Sequence, residues 1–169
     1  SDKGPAFYGH RRIGHNGRTF HCLKFRTMVV NGDEVLKQYL TSDPQAAEEW
    51  RQTRKLKNDP RVTAVGSVLR KLSLDELPQL INIIRGEMSV VGPRPVVDEE
   101  LNYYESAARY YLSTRPGLTG LWQISGRNDV SYKERVDYDT QYVQNWSMMR
   151  DISIIMKTVP AVCMSRGSY

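Results

Sequence analysis

Two adjacent acids near the middle of the chain are the residues best suited to chemistry. Asp75 and Glu76 stand in the stretch RKLSLDELPQLINIIRG, which begins at Arg70. Carboxylates among cations suit phosphate chemistry, because one can attack phosphorus or bind substrate while the other holds a divalent cation. Mg²⁺ fits that use, since it accepts carboxylate and substrate phosphate ligands and needs few ligands from the protein. The alternative is that both acids only cap a helix, and this motif alone favours capping.

Arginines in rigid or glycine-rich turns shift that balance. Pro93 and Pro95 fix the backbone on either side of Arg94, which makes its guanidinium a preorganised bidentate clamp for phosphate. The alternative is a surface arginine in a proline-rich turn. A second turn, residues 115–120 (RPGLTG), follows an arginine with glycines that would let the backbone approach a ligand. The arginines that together predict a diphosphate site near the acidic pair are Arg70, Arg94, Arg115 and Arg127.

Two residues after the second turn suit recognition of a base. Trp122 could stack on a base and Gln123 could hydrogen-bond it, but Trp122 is equally well interpreted as a core residue. The three histidines do not have the spacing of a zinc site, and we interpret them as structural or surface residues. No Walker A, Rossmann or nucleophile-elbow pattern is present in the sequence.

The elements that would position these residues follow from turn signals and periodicity. Two short runs, Phe7–Ile13 and Thr19–Phe25, flank Asn16-Gly17 and predict a β-hairpin. Its cations are either a solvated surface, which residue type favours, or a basic rim for phosphate or lipid head groups. These cations are Arg11, Arg12, Arg18, Lys24 and Arg26.

Most of the remaining chain has helical periodicity. Helices are predicted over 33–40, 44–55, 64–72, 98–112, 131–146 and 151–164, and a glycine-rich loop over 115–128. The helix of the acidic pair begins near Asp75, or one turn earlier if Ser73 and Glu76 form a capping box, and ends at Gly86. Pro160 should kink the last helix. That helix either lies in a membrane interface or faces the core, and the sequence supports both equally.

The composition of the chain favours some classes of function over others. The formal charge of +5 and the pI of about 9.2 favour anionic partners, namely nucleic acid, phosphorylated metabolites or anionic lipid. No apolar run reaches the roughly 18 to 20 residues that span a bilayer. Cys22 and Cys163 form no disulfide framework or metal-ligand pattern, which favours a reducing compartment.

Four motifs in order resemble the bacterial sugar transferases, the monotopic polyprenyl-phosphate phosphoglycosyl transferases. They are residues 24–28 (KFRTM), 74–80 (LDELPQL), 91–95 (VGPRP) and 115–120 (RPGLTG). The later part of the chain most resembles the undecaprenyl-phosphate hexose-1-phosphate transferases that initiate O-antigen, capsule or exopolysaccharide synthesis. Four ordered motifs are much more specific than any one of them.

The resemblance implies an activity and a set of site residues. A sugar 1-phosphate, of galactose or glucose, would pass from a UDP-sugar to undecaprenyl phosphate through a covalent aspartyl intermediate, with Mg²⁺ present and UMP released. Asp75 would be the nucleophile and Glu76 its partner, both at the metal. The substrate-binding residues would be Lys24, Arg26, Arg70, Pro93, Arg94, Pro95, Arg115, Gly117, Thr119, Gln123 and Arg127.

We therefore expect an α+β fold, mostly helical, with a small amino-terminal β-hairpin and amphipathic helices at a membrane interface. Residues 1–169 would be one catalytic domain from a larger membrane protein, on the cytoplasmic face of the bacterial inner membrane, and a homo-oligomer is compatible with this. Two alternatives remain: an inactive, truncated interaction domain, and a basic nucleic-acid-binding module. The second is disfavoured because basic residues are scattered and Asp75-Glu76 interrupts the richest region.

Overall fold

The amino-terminal hairpin forms as predicted. The computed structural model describes residues 3–53, 56–125 and 131–163. Within it, strand β1 (Phe7–Ile13) pairs antiparallel with β2 (Thr19–Phe25). Asn16 and Gly17 have φ values of 56° and 75° in the connecting turn. Asparagine and glycine tolerate this left-handed conformation best, which is why this dipeptide marks the turn.

Three helices follow, and the second and third carry side-chain caps. Helix α1 spans Gly32–Ser42 and α2 spans Pro44–Thr53. The Asp43 carboxylate accepts the backbone amides of Gln45 and Ala46 and so caps α2. Helix α3 (Ala64–Lys71) is capped by Thr63, whose hydroxyl accepts the Gly66 amide at 2.9 Å. The three predicted helices are confirmed over the described residues.

The predicted helix start at the acidic pair is wrong in both of its versions. Residues Leu74–Glu76 form a single 3₁₀ turn, and helix α4 (Gln79–Ile84) begins after Pro78. Ser73 has a φ of 54° and makes no side-chain cap bond, so the capping box is absent. That left-handed residue turns the chain between α3 and the acidic pair, which therefore lies in a connection rather than in an α-helix.

A second, parallel sheet was not predicted. Strand β3 (Ser89–Val91) pairs with β4 (Gly117–Thr119), with Ser89 opposite Gly117 and Val91 opposite Thr119. Strands this short carry too little alternation to be recognised from sequence. The predicted loop over 115–128 is wrong where it is described, because β4 and helix α7 (Leu121–Ser125) occupy it.

The predicted tyrosine-rich helix is interrupted. It consists of α5 (Asp98–Leu101), a 3₁₀ segment over Asn102–Ala107 and α6 (Ala108–Leu112). Glu105 breaks the helix with φ 46° and ψ −123°. These segments form the crossover that carries the chain from β3 to the parallel strand β4.

The last two helices agree with the predictions. Helix α8 (Tyr132–Gln144) opens on the predicted capping box, in which the Ser131 amide donates to the Glu134 carboxylate at 2.7 Å. Helix α9 (Met148–Cys163) begins slightly before its predicted start and contains Pro160. The fold is α+β and mostly helical, as expected.

Tyrosine hydroxyls connect the hairpin to the helical part. The Tyr111 hydroxyl donates to the carbonyl of Ile13 at 2.7 Å and accepts the amide of Val96 at 3.1 Å. One core cluster forms around this junction, and it comprises Ile13, Val96, Tyr104, Tyr111 and Val136. Two smaller clusters join β2 to the segment before β3, and β3 to α8 and α9.

Two apolar surfaces remain exposed. The α3–α4 face comprises Val65, Val68, Leu72, Leu77, Leu80, Ile81 and Ile84. The α9 face comprises Met148, Met149, Ile152, Ile155, Met156 and Val159. The helical stripes that the sequence shows on α3, α4 and α9 are thus largely exposed, and α9 packs inward through Ile154 instead. Among the described residues, no helix is long and apolar enough to cross a bilayer.

Candidate active site

The acidic turn meets the hairpin through an ion pair. Lys24 on β2 places its Nζ 2.6 Å from Oε1 of Glu76, and both side chains are about one-third exposed. The short distance marks a charge-assisted hydrogen bond. Lys24 therefore holds Glu76 in place beside Asp75.

Asn82 fixes the position of β2 against α4. Its side chain is fully buried; the amide nitrogen donates to the His21 carbonyl and the Glu87 carboxylate, and its oxygen accepts the Leu23 amide. A buried polar side chain with all of these bonds specifies one arrangement of the two elements. Sequence analysis did not single out Asn82, although a polar residue within the run LINII is a visible signal.

Asp75 is a partly desolvated carboxylate. Burial raises its pKa above the ordinary value, the Lys24 and Arg70 cations act in the opposite direction, and Glu76 adds to the rise. Removing water from a carboxylate disfavours its charged form, and nearby cations restore it. The site therefore holds a carboxylate whose charge depends on its cationic neighbours.

Arg70 is positioned by the docking of α3 on the segment after β2. Its Nε donates to the Thr27 hydroxyl at 2.9 Å, and the Thr63 amide donates to the Thr27 carbonyl at 3.0 Å. A Cβ on Gly66 would lie 2.0 Å from that carbonyl oxygen, so only glycine permits this approach. Thr27 lies in the KFRTM motif, and α3 thus connects that motif to the acidic turn.

A second cluster surrounds the indole of Trp122, which is only 6% exposed. The guanidinium carbons of Arg94 and Arg135 lie 5.4 Å and 4.9 Å from its ring centroid. Both distances fit cation–π contacts. Trp122 is thus a core residue with arginines on it, and the structure gives no free ring face for the stacked base that the sequence allowed.

Asp139 supports the rigid Arg94 loop from α8. Its carboxylate accepts the Tyr104 hydroxyl at 2.7 Å and the backbone amide of Arg94. Burial raises the pKa of Asp139 to about 7. Sequence analysis missed Arg135 and Asp139, although their spacing places them on one face of α8.

Glycines bring the two arginine turns into contact. A Cβ on Gly117 would lie 2.1 Å from the Gly92 amide nitrogen, and the Gly117 amide donates to the buried Pro93 carbonyl at 2.8 Å. These glycines therefore serve the close approach of backbone to backbone. The crossing fixes the segment from which Arg94 and the partly buried Pro95 project.

The other predicted substrate-binding residues have different surroundings. Arg26 donates to the carbonyls of Pro5 and Met28, and Arg115 donates to the Gly86 carbonyl at 2.7 Å. These contacts hold the chain at the base of β2 and at the end of α4. Arg127 lies outside the described residues.

Two predicted residues are packed inside the fold. The buried Thr119 hydroxyl is 2.7 Å from the Thr158 hydroxyl on α9. The Gln123 side-chain oxygen is buried and has no hydrogen-bond partner among the described residues.

Cys22 on β2 is influenced by charged residues of both the acidic turn and the Arg94 loop. Burial raises the pKa of its thiol, and Lys24, Glu76 and Arg94 are all close enough to act on that pKa. No group of three or more His, Cys, Asp or Glu side chains among the described residues could hold a metal. The Asp75-Glu76 pair fits a cation that takes its other ligands from phosphate.

Comparisons with known proteins agree with this chemistry. A family profile described as bacterial sugar transferase matches residues 1–165. An exopolysaccharide production protein, ExoY, of Sinorhizobium fredii is 73% identical over 169 residues, which cover 100% of this chain and 75% of that protein.

Two further relatives are named for their reactions. An undecaprenyl-phosphate galactose phosphotransferase of Salmonella typhimurium is 56% identical, over 99% of this chain and 35% of its own length. A UDP-glucose:undecaprenyl-phosphate glucose-1-phosphate transferase of Caulobacter vibrioides is 40% identical, over 98% of this chain and 60% of its own length.

Proposed function

This chain belongs to the bacterial sugar transferase family, and we propose that it transfers a sugar 1-phosphate from a UDP-sugar to undecaprenyl phosphate. The observation that carries the proposal is the partly desolvated Asp75, which adjoins the Lys24–Glu76 ion pair and whose pKa Lys24 and Arg70 both lower. The names of the relatives support the substrates. Galactose and glucose are the two sugars that those names suggest for the donor.

Asp75 would be first the nucleophile and then the leaving group at the same phosphorus atom. One carboxylate oxygen attacks the phosphorus that bears the sugar, the bond to the bridging oxygen breaks, and UMP leaves with the electron pair. A phosphate oxygen of undecaprenyl phosphate then attacks that phosphorus and displaces the Asp75 carboxylate. The product is undecaprenyl diphosphate carrying the sugar, and Asp75 is restored.

The other residues of the site would offset the negative charge of the substrate phosphates. Asp75 and Glu76 would hold Mg²⁺, which when bound would reduce the negative charge of the diphosphate. Lys24 keeps Glu76 oriented through its 2.6 Å contact. Arg70 and Arg94 are suited to bind phosphate oxygens, because α3 and the proline-flanked turn preorganise them.

The exposed apolar surfaces support a membrane-bound site. The α3–α4 face continues on both sides of the acidic turn, through Leu72 and Leu77. A lipid-linked acceptor has to reach Asp75 from the membrane surface, and an apolar face around the turn allows this. We place the site on the cytoplasmic face of the bacterial inner membrane, because UDP-sugars are cytoplasmic metabolites.

Intact-protein mass spectrometry tests the proposal most directly. The protein is incubated with Mg²⁺ and UDP-galactose or UDP-glucose in the absence of lipid acceptor. We expect a mass increase of one hexose phosphate with at least one donor, and release of UMP in equal amount. Adding undecaprenyl phosphate should remove the adduct.

The variant Asp75→Asn should form no adduct and should lose transfer by at least about a thousandfold. The control Asp33→Asn changes an exposed acid in the first turn of α1 and should behave as wild type. Equal melting temperatures would show that both variants are folded. An adduct that persists in Asp75→Asn would assign the nucleophile to another residue.

A further inference from the structure

Two arginines from distant parts of the chain share one aromatic side chain. Arg94 precedes α5 and Arg135 lies on α8, yet both guanidinium groups contact the Trp122 ring. Like charges held near each other repel, and the repulsion grows as water is removed. The buried indole of Trp122 therefore carries two cationic groups.

The charges of this pair are only partly offset by Asp139, which interacts electrostatically with both arginines. Within the described part of the chain, no ion pair joins Arg94 or Arg135 to an acid. Asp139 is the nearby acid, but its bonds go to the Tyr104 hydroxyl and to the backbone amide of Arg94. Its raised pKa also leaves it only partly ionised at neutral pH.

Unsatisfied polar atoms lie in the same place. The indole Nε1 of Trp122 and the Nε of Arg135 are buried donors that have no hydrogen-bond partner among the described residues. Buried polar groups are nearly always bonded in folded proteins, so two orphan donors in adjoining side chains point to a bound acceptor. The indole donor and the two guanidinium groups, one of which carries the second orphan donor, suit an anion with several acceptor oxygens.

We propose that Arg135 is a second phosphate-binding residue, acting with Arg94 through their shared contact with Trp122. The ligand is a phosphate or diphosphate group, whether that of the nucleotide donor or that of the lipid acceptor. The assignment to this reaction rests on the proposed function, but the anion site itself does not. Arg135 lies in no motif that marked the site in the sequence.

Pyrophosphate binding tests the anion site independently of the reaction. Titration calorimetry of the full chain compares wild type, Arg135→Gln and the control Lys133→Gln, which removes the same charge from an exposed residue of the same helix. We expect Arg135→Gln to weaken pyrophosphate binding about tenfold or more, and Lys133→Gln to stay within about twofold of wild type. Equal losses in both variants, or no binding by wild type, would overturn the proposal.

The conservative variant Arg135→Lys guards against a folding artefact. It keeps the charge and the contact with the indole but loses the planar fork, so binding should recover only in part. Thermal melts identify any variant that fails to fold. If Arg135→Lys binds pyrophosphate as wild type does, Arg135 contributes only a diffuse charge and the specific role is wrong.

Two further arms identify the source of the phosphate. UDP and a soluble short-chain prenyl phosphate are titrated into the same proteins. If Arg135→Gln loses affinity tenfold for UDP alone, Arg135 binds the donor, and the KM for the UDP-sugar should rise as well. If it loses affinity for the prenyl phosphate alone, Arg135 binds the acceptor. If pyrophosphate binding depends on Arg135 while UDP and prenyl phosphate do not bind at all, the anion site stands and the proposed function fails.

Discussion

At the scale of single residues, the charge on Asp75 is the quantity that the site controls. Burial opposes ionisation of this carboxylate, and Lys24 and Arg70 favour it. The net result is a raised pKa, so the neighbouring cations determine the pH at which the nucleophile becomes available.

Replacing Lys24 with Met should shift the pH dependence of transfer. Lys24 lowers the pKa of Asp75, so its removal raises that pKa further and moves the acidic limb of the kcat profile to higher pH. Glu76 also loses its 2.6 Å partner, and we expect kcat at neutral pH to fall about ten- to a hundredfold. The pH–rate profile checks this.

Lys37→Met serves as the control, since Lys37 is exposed on α1. It should leave the acidic limb unchanged. A Lys24→Met enzyme with lower activity but an unmoved acidic limb would mean that Lys24 acts on Glu76 alone.

Asp139 should make the free energy of unfolding fall as pH rises from about 4 to about 7. Its pKa is about 7 in the folded protein and near 3.8 in an unfolded chain, so the folded state binds the proton more tightly. The resulting stabilisation is fully present below about pH 4 and is lost as pH rises to about 7. Asp139→Asn removes this dependence, and the wild-type free energy of unfolding should fall by about 2 to 4 kcal/mol relative to the variant across that interval.

Denaturant titrations at several pH values measure the difference between the two proteins. The control Asp137→Asn alters an exposed acid on the same helix and should give a flat difference. A flat difference for Asp139→Asn as well would show that Asp139 is ionised throughout this range in the folded protein.

At the scale of elements, the docking of α3 on Thr27 is what places Arg70. The Gly66→Ala substitution puts a methyl group 2.0 Å from the Thr27 carbonyl oxygen, and a backbone atom cannot yield as a side chain can. We expect a loss of about 2 to 4 kcal/mol in stability together with a lower kcat, because the helix that carries Arg70 must move.

Ser67→Ala is the matched control on α3, since Ser67 is exposed whereas the preceding Gly66 is buried. It should leave melting temperature and kcat near wild type. If Gly66→Ala lowers the melting temperature but leaves kcat unchanged at a temperature where it is folded, the position of α3 does not control Arg70.

Elements with long periodic patterns or caps could be predicted, and those without them could not. The Asn16-Gly17 hairpin and the Ser131–Glu134 capping box are local signals, and each forms as expected. The acidic turn depends on the left-handed Ser73, which no sequence rule required. The parallel sheet depends on backbone contacts between Gly92 and Gly117, which pair only after the chain has crossed over.

The same distinction applies to the site. Asp75, Glu76 and the arginine motifs were visible because unusual residues stand close together in sequence. Arg135 and Asp139 were not, because charged residues at helical spacing ordinarily mark a solvated face. The apolar stripe of α3, a pattern typical of a buried face, is exposed.

At the scale of the whole molecule, the exposed apolar faces and the charge of +5 suit an anionic lipid surface. Replacing Leu80 and Ile84 with Gln should weaken binding to anionic vesicles about tenfold or more, because these apolar side chains are 46% and 86% exposed. Melting temperature should not fall. Vesicle co-sedimentation measures the effect.

The pair Met149→Gln and Met156→Gln tests the other face in the same way. These residues are 73% and 69% exposed on α9. If only the α9 pair weakens vesicle binding, the α3–α4 face does not contact the membrane, and the approach of lipid to Asp75 needs another route.

The hydrogen bond between Tyr111 and Ile13 can form only after both residues have been synthesised. The two residues are 98 positions apart, and translation at ordinary bacterial rates needs about 5 to 20 s to cover that distance. The hairpin forms from local contacts, but Ile13 and its apolar neighbours stay uncovered until Tyr111 emerges, and the cluster closes only with Val136. The amino-terminal hairpin is therefore the part of the nascent chain that a chaperone would need to shield for longest.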